Sequence, residues 1–141
     1  MLLLDVNILI YAHRKDASNH SAYSQWLSAL INSDQAYGMS ELVLSGFIRV
    51  ATHSRIFDPP SLLDAALEFT DQIRNRDNCV LISPGPRHWD IFVRLCRQAG
   101  VKGNLVSDAY LAALAIESGS EWITTDRDYA RFPGLRWRHP L

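Results

Sequence analysis

The stretch LLLDVNILIY, residues 2–11, decides how this chain reads. Leu2, Leu3 and Leu4 run into Val6, Ile8, Leu9 and Ile10, an apolar run of the kind that forms a strand buried on both faces. A strand over 2–6 places Asp5 inside it, with Asn7 two positions on. A lone buried carboxylate is costly unless it is paired, hydrogen-bonded or bound to a cation. A strand interior offers Asp5 no capping role, so its position asks for a partner.

Outward from this stretch, short apolar runs alternate with longer segments of three-four spacing. Further strands are expected over 36–40, 79–83, 121–125 and 135–139. Helical patterns cover 21–31, 41–52, 61–76, 87–99 and 105–118. Ser61 and Asp64 have the spacing of a capping box, and Gly100 and Gly119 stand where helices should stop. The alternation predicts one domain over 1–141, an α/β sandwich around a mostly parallel sheet. Such sheets place ligands beyond the carboxyl ends of their strands, where the strand order reverses.

With 48% hydrophobic and 21% charged residues the composition is that of a soluble globular domain. The net charge of −1 gives no overall basic field, though it would hide a local basic patch. Cys79 and Cys96 lack CxxC spacing and read as buried reduced thiols. There is no basic leader and no apolar span of membrane length, so a cytoplasmic location with no membrane partner is expected. The five histidines show no HExxH-like spacing and read as surface residues, whereas Trp26, Trp89, Trp122 and Trp137 read as core. Helices 21–31 and 41–52 carry so many large apolar residues that a partner groove or dimer surface is expected on them.

The sheet-edge rule selects a set of acids. Asp5 lies towards the end of the first strand, Glu41 follows the second, and Asp126 follows the fourth, with Asp128 two further on. Asp108 falls in the first turn of the helix that starts near Asn104. Singly, each of the others is an ordinary cap or turn residue; together they map to one edge. Two unit charges about 4 Å apart repel by about 4 kcal/mol at an effective dielectric near 20, so a converging set needs a cation or protons. An all-oxygen site without Cys or His suits Mg²⁺ or Mn²⁺, which activates water and stabilises a phosphate under attack.

The order DVN, SELVLSGFIRV, VSDAYLAALAIE and TTDRDY resembles the PIN-domain ribonucleases, and within them the VapC-type toxins of type II toxin–antitoxin pairs. The likeness spans the chain, including IFDPP, SPGPRHW and FPGLRW. It implies a three-layer α/β/α sandwich with sheet order 3-2-1-4-5, Mg²⁺-dependent cleavage of RNA, a homodimer, and neutralisation by a cognate VapB-type antitoxin. It also implies that Asp5, Glu41, Asp108 and Asp126 form the acidic quartet. Asp5 and Asp108 would be metal ligands, Asn7 and Thr124 supporting polar residues, and Asp128 an additional acid. Arg14, Lys15, Arg127 and Arg131, close in sequence to two of the acids, are candidates for gripping phosphate.

Two other readings stay open at this level. A phosphatase of the haloacid-dehalogenase kind needs an acid two residues after its nucleophilic Asp, and that position is Asn7. A non-catalytic RNA- or antitoxin-binding scaffold would have no reason to keep mutually repelling acids. No GxGxxG follows the first strand, which argues against a dinucleotide enzyme.

Overall fold

In the computed structural model, which describes all 141 residues, β1 (Leu2–Leu4) is the middle strand of five. It is followed by α1 (Val6–His13), α2 (His20–Ile31), β2 (Tyr37–Met39), α3 (Glu41–Ala51), α4 (Leu63–Arg74) and β3 (Cys79–Leu81). Then come α5 (His88–Ala99), α6 (Leu105–Glu117), β4 (Glu121–Ile123), a 3-10 turn (Arg127–Arg131) and β5 (Trp137–Arg138). The sheet order is β3-β2-β1-β4-β5, and every neighbouring pair is parallel. Helices cover both faces, giving the expected three-layer α/β/α sandwich. Leu3 lies opposite Gly38 of β2 and Trp122 of β4, so the order reverses across β1 and β4.

The opening stretch departs from its strand-like pattern. β1 ends at Leu4, and the Asp5 N–H donates to the Ile123 carbonyl at 3.0 Å as a last rung. Asp5 then caps α1, its Oδ1 accepting from the Val6 N–H at 2.7 Å. Asp5 therefore does have a capping role. Val6, Ile8 and Ile10 favour strand by propensity, but Ile8, Leu9, Ile10 and Ala12 all find burial around the helix, which packs on α2 and α3. Tertiary packing overrides a modest local preference.

Other differences have equally local causes. α4 begins at Leu63 behind an uncapped Leu62. Ser61 instead meets His13 Nε2 at 2.9 Å and accepts from Arg14 at 3.3 Å, so no capping box forms. α5 does stop at Gly100, whose φ of 59° is left-handed. A Cβ on Gly46 would lie 3.1 Å from Val6 Cγ2, which shows how closely α3 approaches the first turn of α1.

Trp122 is fully buried, but Trp89 is 64% exposed on α5. His88 is buried and donates to the Tyr110 carbonyl at 3.0 Å. Both cysteines are free thiols, and both are half-buried. The large apolar residues of α2 and α3 are mostly internal, with Leu42 the clear exception. The more exposed leucines are Leu62 and Leu63 at the start of α4. Most of the apolar surface of helices 21–31 and 41–52 therefore lies in the core, and Leu42 is what α3 leaves outside it. No helix is long and apolar enough to cross a membrane.

Candidate active site

At the carboxyl edge of β1 and β4 a single hydroxyl organises several residues. Thr124, fully buried just past β4, donates to Asp5 Oδ2 at 2.6 Å. The Thr124 Oγ1 in turn accepts from Asn7 Nδ2 at 3.3 Å and from the Asp126 N–H at 3.0 Å. One donor and two acceptor positions are thus all used. Asp126 caps the 3-10 turn, its Oδ1 accepting from the Asp128 N–H at 2.8 Å.

Asp5 is only 6% exposed, and burial is the main reason its carboxyl is pushed up to about 6. The bonds from Thr124 and Val6 pull it down, while the charges of Asp108 and Asp126 push it up again. Asp108, half-buried in the first turn of α6, is likewise raised, first by burial and then by Asp126. A bond from the Tyr129 hydroxyl, 3.3 Å from its Oδ1, works the other way. Asp5, Asp108 and Asp126 therefore share one electrostatic neighbourhood. Asp128 stands at its rim, paired with Arg131 at 3.4 Å.

Glu41 starts α3 behind Ser40, which caps the helix by accepting from the Leu42 N–H at 3.2 Å. Its side chain is 67% exposed and pairs with Arg74 at 3.0 Å. It shares the sheet edge but is turned towards α4. Arg127 and Arg131 lie on the turn that Asp126 caps. Arg14 caps the far end of α1, nine residues from Asp5 or about 13 Å at ~1.5 Å per helical residue. There it binds Asp16 at 2.7 Å and covers the Phe57 ring at 4.2 Å, with exposed Lys15 beside it. The structure thus brings two of the four cations close to the acids and places the other two at the opposite end of the helix.

Tyr129 is the residue at this site that patterning missed. Its ring is buried between Trp122, 5.4 Å away, and Phe132, 5.9 Å away, with the hydroxyl beneath the acids. Burial and the charges of Asp5 and Asp108 hold that hydroxyl protonated. The only hint in the sequence was an aromatic residue ending TTDRDY.

The donor set suits a hard cation. It is all oxygen, it carries repelling carboxylates, and Asn7 Oδ1 is a buried acceptor with no partner. No three His, Cys, Asp or Glu side chains close into a ready-made cage. Mg²⁺ keeps several waters and is commonly held by one or two carboxylates together with substrate phosphate. An open groove of about 540 Å³ runs between α1, α3, α5 and α6, lined by Val6 and Ser107, the chain neighbours of Asp5 and Asp108, and by Leu42, Arg49, Phe92 and Tyr110 among others.

The family model described as PIN domain matches residues 2–135. Ribonuclease VapC43 of Mycobacterium tuberculosis is 43% identical over 141 residues, covering 100% of this chain and 96% of that protein. Among solved structures, VapBC2 from Rickettsia felis bound to a promoter DNA fragment superposes with a TM-score of 0.68 at 20% identity, covering 98% of this chain and 97% of that one. A toxin–antitoxin complex from Klebsiella pneumoniae gives 0.65 at 21% identity, covering 100% and 98%. At those identities the two structures speak for the fold alone, whereas the family model and the full-length relative speak for descent. This chain belongs to the PIN-domain family, in its branch of VapC-type toxins.

Proposed function

We propose that the chain is a metal-dependent endoribonuclease, the toxin of a toxin–antitoxin pair, which hydrolyses RNA phosphodiesters until a cognate VapB-type antitoxin binds it. The observation that carries this reading is the meeting of Asp5, Asp108 and Asp126 where the strand order reverses. The full-length likeness to a ribonuclease supports the chemistry, and membership of the VapC-type toxin branch supports the partner. A homodimer is part of the same proposal.

Asp5 and Asp108 would hold Mg²⁺ or Mn²⁺, with Asp126 and Glu41 completing the site through water or as ligands to a second ion. When bound, the ion activates water and neutralises charge on the attacked phosphate. Thr124 and Asn7 fix the Asp5 side of the site, and Asp128 steadies Arg131 at the rim. Arg127 and Arg131 would grip phosphate beside the acids, while Arg14 and Lys15 would meet RNA farther along. Glu41 turns inward at small cost, because an exposed ion pair such as that with Arg74 contributes only about 0–1 kcal/mol.

Purified protein freed of antitoxin should cut structured RNA with Mg²⁺ or Mn²⁺ and stop in excess EDTA. Undiminished cutting in EDTA would overturn the metal mechanism. RNA binding without cleavage would indicate a retired scaffold, and phosphate release from a small phosphoester a phosphatase.

A further inference from the structure

The acids at this edge are not held alike. Asp5 accepts from a backbone N–H and from Thr124, and Asp126 accepts from the Asp128 N–H. Asp108 sits on α6, outside the sheet, and the one hydrogen bond its carboxylate accepts within the protein comes from the Tyr129 hydroxyl. Apart from that bond only the charge of Arg131 favours its carboxylate, which Asp126 and Asp128 repel. Tyr129 itself is rigidly placed. Its ring is 2% exposed against Trp122 and Phe132, and its N–H closes the turn that Asp126 caps. The hydroxyl therefore reaches Asp108 from the same short segment that carries Asp126.

We propose that Tyr129 is a positioning residue for the metal site, its hydroxyl holding the Asp108 carboxylate of α6 in place beside Asp5 and Asp126. As a neutral donor beneath like charges it engages one Asp108 oxygen and leaves the other for the ion. It also ties α6 to the end of β4, so two chain-distant acids are set by one side chain. This inference rests on the metal-dependent reading above.

Tyr129→Phe keeps the ring and its packing and removes only the hydroxyl. Binding of Mg²⁺ and Mn²⁺ to wild type and variant would be measured by titration calorimetry, thermal unfolding with EDTA, and RNA cleavage across Mg²⁺ concentrations. The expected result is metal affinity lowered about 10- to 100-fold, the scale seen when groups supporting ligands are removed. Cleavage should recover as Mg²⁺ is raised, with KM for RNA unchanged and the folded variant intact in EDTA. Unchanged metal affinity, whether or not the melting temperature falls, would overturn the positioning role and leave the metal site standing. A wild type that binds neither ion would overturn both.

Discussion

At the scale of single residues, Asp5 does two jobs that pull against each other. It caps α1 and satisfies Thr124, yet it is a buried anion near Asp108 and Asp126. In Asp5→Asn the amide oxygen keeps the cap, while the acceptor for the Thr124 hydroxyl is lost, at about 1–3 kcal/mol for an unsatisfied buried group. Against this, the folded carboxyl at about 6 lies above its ordinary 3.8, and each unit is about 1.4 kcal/mol. A raised folded value means that the native state holds the proton more tightly. Asp5 therefore favours folding below about pH 4, and that contribution fades as pH rises to about 6. Metal-free Asp5→Asn should thus be less stable than wild type near pH 4 and draw level, or pass it by about 1 kcal/mol, above pH 6. Denaturant unfolding of both proteins across this range checks the sign. A gap that widens with pH would mean the hydrogen bond outweighs the charge.

At the scale of elements, the site depends on how closely α3 lies against the first turn of α1. Gly46 permits that approach, since any Cβ there crowds Val6, the neighbour of Asp5. Gly46→Leu should cost about 1–3 kcal/mol, as overpacked contacts do, and should also lower metal affinity by moving the Asp5 cap. Gly46→Ala offers a graded comparison. Its helix-propensity gain of up to about 1 kcal/mol offsets the milder crowding, leaving stability within about 1 kcal/mol of wild type. Calorimetry of metal binding beside thermal unfolding separates the two effects. Full metal affinity in a destabilised Gly46→Leu would show that the cap survives displacement of α1.

At the scale of the whole molecule, the proposed metal site would make the folded chain, with its mutually repelling acids, a better receiver of a cation than the unfolded one. An ion bound only by the native state adds about 2.7 kcal/mol of stability at a hundred times its dissociation constant. Wild-type protein should therefore melt several degrees higher in excess Mg²⁺ than in EDTA, and Asp5→Asn should show little of this rise. Equal shifts in both proteins would place the binding ion elsewhere.

Much of this architecture was legible in the sequence because it depends on local pattern. The alternation of short apolar runs with three-four spacing set the α/β class. Reading Asp5 near the end of one strand, Glu41 and Asp126 just past two others and Asp108 in a first helical turn pointed to one sheet edge. The motifs DVN and TTDRDY located Asp5 and Asp126 at the carboxyl ends of β1 and β4, the strands that become neighbours. What the sequence left undecided concerned burial and direction. VNILIYAH has the apolar density of a strand, and only packing against α2 and α3 makes it a helix with Asp5 as its cap. The direction of Glu41 towards Arg74 and the reach of Tyr129 to Asp108 join residues 33 and 21 positions apart. No local pattern encodes such contacts. They are decided when the layers close and each polar group takes the partner that the surrounding packing leaves within reach.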